Sequence, residues 1–461
     1  MPSLSRTFAT WVADLQYKDL PPEVVDRAKG VTLHALASAL LGARMPSGKQ
    51  ALALMQEEEG TTGGAATVLV HGDRLTKAGA AFVNSEMIYA GGKWDTFRML
   101  THPSCNILPT ALVASELEGA TGEQYLTGIV AAYEVMERMA ADYIPTVMSR
   151  GFHAGPVFGI FGAAVAAAKI HGMTAEQVHG AIAQCVNLAA GNLEGARSGG
   201  RSLREGGSVR NGLLAVALAK QGMRGGETVL EGEAGFYHAY AGNNRGKLPY
   251  VFRGSKQTSL DSIVEGLGER WQFLETLYRI YSTPGYNIAH VDVTAALCTE
   301  HDIKYEDIDR IEAVVHWMET QYPSPAFPSP NMDNQPRPGS THYFSAYGAA
   351  KRGYPLLKDR PDESDPPEVL DLMKRVTIIP SKTQTLFGPA VTVITKDGKK
   401  YTKKATGREF MWDFEEEARR IHGIVPGVPI SEAQFGQLVD ACRNLDRLGR
   451  ADELVRLTIP S

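Results

Sequence analysis

The stretch GPVFGIFGAAVAAAKIHG, residues 155 to 172, is apolar on nearly every face of the helix that it predicts. A helix without a polar face belongs at the centre of a bundle, where neighbouring helices cover its apolar side chains. Its many Ala and Gly residues leave room for those helices to approach closely. This stretch therefore predicts a large helical core.

Helical patterns lie on both sides of this central stretch. Residues 121–143 and 174–191 each begin with Thr-x-x-Gln, a capping box that marks the start of a helix. Residues 21–43 begin with Pro-Pro-Glu and end near Gly42, which is the usual placement of Pro and Gly at helix ends. Residues 212–222 predict a further helix rich in small side chains.

The pattern changes to short strands after about residue 280. Residues 308–317 and 374–381 are rich in β-branched residues, and residues 390–406 predict a hairpin that turns at Asp397-Gly398. Helical patterns return after residue 413. We therefore predict a mainly α fold, in which a large all-helical domain is built from both chain ends and a smaller α+β domain is inserted between them. The predicted boundaries are residues 1–268 and 406–461 for the helical domain and residues 269–405 for the α+β domain.

Composition excludes several classes of function. The 461 residues carry a formal net charge of −5, which gives no basic surface for nucleic acid. No segment reaches the roughly 18 apolar residues of a membrane span, and the N-terminal residues lack the apolar core of a secretory signal. The four cysteines have no CxxC spacing, which argues against a zinc site, an iron–sulfur cluster or a disulfide framework. We expect a cytoplasmic protein without a metal.

One polar stretch interrupts the helical patterns early in the chain. GGKWDTFRMLTHPSC, residues 91–105, holds Lys93, Asp95, Thr96, Arg98 and His102, and its Gly pair and Pro predict a loop. Polar groups gathered between apolar helices are either a solvated connection or one wall of a site.

Two further stretches carry candidate residues. In RGFHAGPVFG, residues 150–159, His153 precedes the central helix, near backbone N–H groups that favour an anion; the alternative is a histidine that only caps or packs. In SGGRSLREGGSVRNG, residues 198–212, Arg201 and Arg204 lie among glycines and could clamp a carboxylate. The alternative is a solvated loop whose arginines pair with Glu194 and Glu205.

The order and spacing of these stretches resemble a known family. NSEMIYAGGKWDTFRMLTHP, residues 84–103, resembles the pattern N-x4-H-A-L-D-F-D-D-T-x5-H-P, and GFH at 151–153 resembles a second family stretch. LEGEAGFYHAY, residues 230–240, matches LEG-x-x-GF, and HYFSAYGAA, residues 342–350, resembles F-S-x-x-Y. The family is MmgE/PrpD, which includes 2-methylcitrate dehydratase, cis-aconitate decarboxylase and iminodisuccinate epimerase.

The resemblance implies a fold, a substrate class and a set of site residues. It implies a helical domain with an α+β lid, an active site between them, a homodimer, and small di- or tricarboxylate substrates handled without a metal or organic cofactor. The residues that we expect to do the chemistry are His102, His153, His290, Asp95 and Tyr347. Those that we expect to contact substrate are Thr96, Arg201, Ser202, Arg204, Lys93 and Tyr89.

The chain also departs from the family pattern. Gly92 stands where the family has its first Asp, Tyr89 replaces the motif His, and Arg201 and Arg204 stand at a Lys and a His. Arg effectively never releases its proton, so one possible proton carrier is lost. Three functions stay open: a lyase that dehydrates a 2-methylcitrate-like acid or decarboxylates a cis-aconitate-like acid, an isomerase that moves a proton next to a carboxylate, and a non-catalytic anion-binding paralogue.

Overall fold

The computed structural model describes residues 2–194, 204–281, 283–328, 335–354 and 364–461. The chain divides into two units. Unit 1 comprises Met1–Val251, Ser255–Ile280 and Met411–Ser461, and unit 2 comprises Phe252–Gly254 and Tyr281–Phe410. Unit 1 is helical apart from short two-stranded pairs, and unit 2 combines helices with a four-stranded sheet. The predicted mainly α fold with a smaller α+β part is confirmed.

Before the chain enters unit 2, it forms a series of helices and four short strands. The helices are α1 (Leu4–Asp14), α2 (Pro22–Gly42), α3 (Pro46–Glu59), α4 (Lys77–Ala90), α5 (Ser104–Glu118), α6 (Gly122–Ala140), α7 (Ile144–Ser149), α8 (Ala154–Ile170), α9 (Ala175–Leu188), α10 (Arg204–Lys220) and α11 (Phe236–Ala241). The strands are β1 (Ala66–Thr67), β2 (Arg74–Leu75), β3 (Trp94–Thr96) and β4 (Leu277–Arg279).

Helix α8 lies at the centre of unit 1, as its all-apolar sequence predicts. Every residue of α8 except Lys169 is buried, and α5, α6, α9 and α10 pack around it. Close approach to α5 requires glycine, because a Cβ atom on Gly159 would lie 2.1 Å from the side-chain oxygen of Asn106. The capping boxes at Thr121 and Thr174 start α6 and α9 as predicted.

The loop predicted for residues 198–212 is a helix in its second half, so this part of the prediction is wrong. Within residues 198–212, the described part, from Arg204 onward, already belongs to α10. Tertiary contacts override the low helix propensity of its glycines: the buried Glu86 carboxylate accepts a hydrogen bond of 3.0 Å from the Gly206 N–H. The buried side chain of Glu205 is likewise engaged with Asn106.

Unit 2 contains α12 (Gly285–Glu300), α13 (Thr341–Lys351) and α14 (Pro367–Leu372) together with a sheet. The strands are β5 (Ile308–His316), β6 (Val376–Ser381), β7 (Ala390–Thr395) and β8 (Lys400–Lys404), in the order β6-β5-β7-β8. β5 runs parallel to β6 and antiparallel to β7. The predicted β7–β8 hairpin is confirmed, with Gly398 in a left-handed conformation at its turn (φ +85°).

After unit 2 the chain returns to unit 1 and forms α15 (Phe414–Ile421), α16 (Glu432–Arg443) and α17 (Glu453–Thr458). α15 and α16 pack on α2. The His34 ring on α2 lies 2.6 Å from the Glu417 carboxylate on α15, and both side chains are fully buried. Segments far apart in sequence therefore close the core of unit 1. None of the helices in the described ranges has the length and apolar character needed to cross a membrane.

Candidate active site

The polar stretch 91–105 contains strand β3, which the sequence did not predict. β3 pairs antiparallel with β4, so that Trp94 lies opposite Arg279 and Asp95 opposite Tyr278. The preceding Gly92 has φ +72°, a left-handed conformation that L residues with a Cβ rarely adopt. The backbone conformation at residue 92, where the family has its first Asp, therefore favours glycine.

The Asp95 carboxylate is buried and held by three donors. It accepts hydrogen bonds from the Ser104 N–H (3.0 and 3.1 Å to its two oxygens), the Ser104 hydroxyl (2.7 Å) and the Tyr133 hydroxyl (2.5 Å). Burial raises the pKa of the Asp95 carboxyl, while the bonds from Tyr133 and Ser104 act in the opposite direction. These bonds tie β3 to the first turn of α5 and to α6.

The His102 ring is oriented by the backbone of β3. Its Nδ1 lies 3.0 Å from the Asp95 carbonyl oxygen and 3.3 Å from the Thr96 hydroxyl. A carbonyl oxygen can only accept, so Nδ1 carries the proton, and in the neutral ring Nε2 has the lone pair. The ring is buried and packs at 4.5 Å against Trp94. His102 is thus set up to accept a proton at Nε2.

His153 has the opposite tautomer. It is the N-cap of α8, and its Nδ1 accepts a hydrogen bond of 3.2 Å from the Gly155 N–H. Nδ1 is therefore unprotonated, and the neutral ring carries its proton on Nε2. The sequence analysis gave capping as the alternative role of His153, and His153 does cap α8. Because the capping hydrogen bond leaves the proton on Nε2, that nitrogen can act as a donor.

One buried glutamate, Glu205, was missed by the sequence analysis as a site residue. A Cβ atom on Gly155 would lie 2.9 Å from Glu205 Oε1 and 3.1 Å from His153 Nδ1, so both groups lie beside the start of α8. The other oxygen of Glu205 accepts a hydrogen bond of 3.0 Å from Asn106 in the first turn of α5. Glu205 is only 1% exposed, so the interpretation of this residue as part of a solvated loop is wrong. Its position in the first turn of α10, where a helix favours carboxylates, is the signal that could have found it.

These contacts bring the first turns of three helices together. Asn106 of α5, Gly155 of α8 and Glu205 of α10 are neighbours. The sequence places His102 just before α5, His153 at the cap of α8 and Arg204 as the first residue of α10. Helix N-termini present unpaired N–H groups and partial positive charge, which together favour anions.

Two cations are buried near the aromatic rings of this region. Burial lowers the pKa of the Lys93 ammonium to about 8, and the charge of Arg279 acts in the same direction. The Arg279 guanidinium stacks 4.0 Å over the Trp94 ring, and the Tyr89 ring stacks 4.6 Å from Trp94. No motif in the sequence pointed to Arg279, because strand pairing, not spacing along the chain, places it beside residues 93–94.

The candidates in unit 2 lie on α12 and α13. The Nδ1 of His290 lies 2.9 Å from the Ser345 hydroxyl, which itself donates to the Thr341 carbonyl. Nδ1 is therefore the protonated nitrogen, and Nε2 has no hydrogen-bond partner among the described residues. Burial lowers the pKa of His290 to about 3, and His342 acts in the same direction. Tyr347 is half-buried, and its ring lies 5.9 Å from that of Tyr343.

Some of the predicted site residues lie outside the ranges that the structure describes. Arg201 and Ser202 fall outside the described residues, and so does the side chain of Arg204. Within the described ranges, no three or more His, Cys, Asp or Glu side chains are grouped as they would be to hold a metal ion.

Comparison with known proteins identifies the family. A model of the MmgE/PrpD N-terminal domain matches residues 6–248, more than half of the chain. The chain belongs to the MmgE/PrpD family. The resemblance seen in the sequence is confirmed, and the matched range contains the loop at 91–105, His153 and α10. His290 and Tyr347 lie beyond it.

Three similar proteins carry the name cis-aconitate decarboxylase. The chain is 30% identical over 286 residues to the cis-aconitate decarboxylase of Aspergillus terreus, an alignment that covers 60% of this chain and 56% of that protein. It is 29% identical over 260 residues to the human cis-aconitate decarboxylase (54% and 53% covered). Against the mouse cis-aconitate decarboxylase it is 25% identical over 424 residues (87% and 82% covered). The chain thus spans little more than half the length of the fungal and human relatives.

Proposed function

We propose that this protein is a lyase that decarboxylates a small tricarboxylate of the cis-aconitate type. The observation that carries the proposal is the convergence of three helix N-termini, each adjoining a residue that the family motifs single out. Such a cluster favours a ligand with several carboxylates. The buried cations Lys93 and Arg279 add positive charge on the side of β3. The relatives named cis-aconitate decarboxylase direct the choice of reaction within that substrate class.

Decarboxylation needs charge stabilisation and one proton. When the C–C bond to the departing carboxylate breaks, its electron pair stays on the substrate and spreads onto the oxygens of a neighbouring carboxylate. Fixed cations and N–H groups stabilise that charge because they are already oriented before it forms. A donor then delivers a proton to carbon, and CO₂ leaves.

The two histidines supply complementary proton chemistry. We assign His153 as the general acid that delivers this proton, because its Nε2 holds the proton. His102, whose Nε2 holds the lone pair, is the general base for a reaction that removes a proton from carbon. Asp95 positions His102 through its backbone carbonyl, and its carboxylate fixes the loop. Thr96 provides the second contact to Nδ1 of His102.

The remaining roles follow from the family motifs, except that of Arg279, which follows from its position opposite Trp94. Arg201, Ser202 and Arg204 clamp a substrate carboxylate, with Lys93 and Arg279 on another carboxylate and Tyr89 supporting Trp94. The proposed roles of His290 and Tyr347, and the homodimer, stay predictions from the resemblance.

An isomerase is the second candidate, and the opposed tautomers favour it. Moving a proton next to a carboxylate requires one group that accepts it and one that returns it, which is what His102 and His153 offer. Gly92 supports this candidate too, because the family's first carboxylate is missing at that position.

A substrate panel decides between the candidates. The purified protein is incubated with cis-aconitate and with 2-methylcitrate in D₂O, and CO₂ release and proton NMR spectra are recorded. CO₂ release with a new product supports the proposal. A new enoate without CO₂ identifies a dehydratase, and deuterium uptake without net change identifies an isomerase. Silence in all three, with ligand-dependent thermal stabilisation, identifies an anion binder and overturns both enzyme candidates.

A further inference from the structure

The Trp94 indole contacts three side chains of the candidate site. Its ring centroid lies 4.5 Å from that of His102 and 4.6 Å from that of Tyr89. The Arg279 guanidinium lies over the indole, 4.0 Å from the ring centroid. Trp94 is 8% exposed, and Arg279 is 7% exposed. A buried side chain therefore touches both a histidine that the proposed function uses for proton transfer and an arginine that it uses to bind a carboxylate.

The alternation of side chains along β3 explains this arrangement. Successive side chains of a strand point to opposite faces, so Trp94 and Thr96 share one face of β3, and Asp95 lies on the other. Thr96 and Trp94 both contact the His102 ring, Thr96 through its hydroxyl, which lies 3.3 Å from Nδ1. Arg279 lies on the same face because strand pairing sets it opposite Trp94. One face of β3 therefore carries the contacts to both His102 and Arg279.

The indole is itself fixed by α4. Its Nε1–H donates a hydrogen bond of 2.7 Å to the Tyr89 carbonyl oxygen, and the planes of the Trp94 and Tyr89 rings differ by only 12°. The hydrogen bond fixes one edge of the indole, and the stacked ring fixes its plane. Because a buried indole N–H needs an acceptor, turning Trp94 away from His102 would also break this bond. The indole is thus a rigid surface against which its neighbours are oriented.

The contact with Arg279 orients a charge. A guanidinium is planar and stacks on aromatic faces, and tryptophan attracts a cation more strongly than tyrosine or phenylalanine does. The attraction is stronger for a pair removed from water, as Arg279 and Trp94 are. A guanidinium held in this way presents its N–H groups in a fixed direction, which binding of a carboxylate by two hydrogen bonds requires. Without the indole, the charge of Arg279 would remain but its direction would not be fixed.

We propose that Trp94 is a positioning residue, which fixes the His102 ring and the Arg279 guanidinium relative to each other. It acts on the reaction through these two groups. The consequence for catalysis rests on the proposed function, whereas the orientation of the His102 ring is a property of the protein without substrate. One test therefore measures the ring, and a second test measures turnover.

The first test records the nitrogen atoms of His102 by NMR, in the full chain labelled with ¹⁵N-histidine and without substrate. The signals of His102 are those absent from His102→Gln. The ¹⁵N shifts distinguish the Nδ1–H tautomer from the Nε2–H tautomer, which the loss of a neighbouring ring current would not imitate. We expect the parent chain and Trp94→Phe to hold the Nδ1–H form, and Trp94→Leu, which has no ring at this position, to give a mixture of the two forms. Trp11→Leu, a change at an indole on α1 that pairs with Trp271, should match the parent chain. An unmixed Nδ1–H form in Trp94→Leu would overturn the proposal.

The second test measures kcat and KM with the acid that the substrate panel identifies. We expect Trp94→Leu to lower kcat about 10-fold and to raise KM about 10-fold, the loss of one such contact on each partner. Trp94→Phe should restore most of kcat, because a ring again packs on His102, and less of KM, because phenylalanine holds a cation more weakly. A general loss of stability would not separate the two constants in this way. Equal recovery of kcat and KM in Trp94→Phe would contradict the proposal.

A double-mutant cycle measures whether the indole acts on binding through Arg279. If it does, KM should be no higher in the double variant Trp94→Leu/Arg279→Gln than in Arg279→Gln alone. Multiplied effects on KM would show that the indole acts on its own, which would refute the proposal. Should Trp94→Leu not fold, Trp94→Met, which also lacks a ring, replaces it in both tests. A parent chain that turns over no acid of the panel would refute the proposed function, while the nitrogen spectra would still decide the positioning of His102.

Discussion

His102 and His153 are the same residue type, but their neutral rings carry the proton on different nitrogen atoms. The reason is that different backbone groups face the two Nδ1 atoms. A carbonyl faces Nδ1 of His102 and an N–H faces Nδ1 of His153. Sequence motifs alone left the order of base and acid open. The local backbone partner of each ring supports one order, since the tautomer decides which nitrogen can accept a proton at neutral pH.

If His102 is the base and His153 the acid, their variants should differ in kind. His102→Gln and His153→Gln should each lower kcat by about 10²–10⁴-fold. If the reaction is the isomerisation, only His102→Gln should abolish exchange of a substrate C–H with D₂O, because only the base removes that proton. Both quantities come from NMR time courses in D₂O, with the exposed His71→Gln as a control. Retained exchange in His102→Gln would reverse or remove the assignment.

We expect Lys93 to make the activity dependent on pH. Its pKa is lowered from 10.5 to about 8, so the ammonium loses its charge as the pH rises through 8 rather than through 10.5. We expect kcat/KM to fall across that interval, because a substrate carboxylate loses a cation. In Lys93→Arg the charge persists, and the fall should disappear from a pH profile measured between 6 and 10. A fall near pH 8 that survives in Lys93→Arg would exclude Lys93 as its source.

At the level of elements, the candidate site depends on the hydrogen bonds that connect β3 to α5 and α6. The Asp95 carboxylate joins β3 to α5 through Ser104 and to α6 through Tyr133, and these bonds place the His102 backbone partner. A buried carboxylate is costly unless its oxygens are hydrogen-bonded, so each donor contributes to the stability of the loop.

Tyr133→Phe tests this fastening. Removing a donor from a buried carboxylate should lower the free energy of unfolding by about 1.5–3 kcal/mol and should also lower kcat. Tyr125→Phe is the matched control: it lies on the same helix, is equally buried, and loses only a contact of 3.3 Å to the Thr32 hydroxyl. Urea unfolding and initial rates measure both effects. Equal decreases in the free energy of unfolding would show that the hydrogen bond from Tyr133 to Asp95 stabilises the protein no more than the contact between Tyr125 and Thr32.

The sequence predicted some elements well and others poorly, for identifiable reasons. Capping boxes and the all-apolar pattern of α8 are local signals, and they located α6, α8 and α9. The glycines at 206 and 207 indicated a loop, yet residues from 204 onward are helical, because a buried carboxylate caps this segment from another helix. Arg279 escaped notice for the same reason: its place beside Trp94 depends on strand pairing between distant segments.

At the level of the molecule, the fold class was predictable because helical and β patterns occupy separate parts of the chain. What the sequence could not supply is the set of contacts that close unit 1 after the chain returns from unit 2. The buried His34–Glu417 contact is the clearest of them, and Trp412 donates a further hydrogen bond of 2.7 Å to the same carboxylate.

His34→Leu should therefore destabilise unit 1 strongly. It leaves the buried Glu417 carboxylate without its main partner, a change that costs about 3–5 kcal/mol. Arg443→Gln, which removes an exposed pair with Glu415, should cost about 1 kcal/mol or less. Urea unfolding of the two variants against the parent chain gives both values. A loss in His34→Leu no larger than in Arg443→Gln would contradict this account of the core.

The division of unit 1 around unit 2 sets an order of events on the ribosome. Glu417 is 383 residues from His34 in the chain, and at about 5–20 residues per second its synthesis follows that of His34 by roughly 20–80 s. During that interval α15 and α16 have not yet been synthesised. The apolar side chains of α2 that these helices later cover therefore stay exposed. Unit 2, apart from its short segment at 252–254, is synthesised as one continuous stretch within that wait. Chaperones that protect exposed apolar surface therefore have their longest opportunity on the first half of this chain.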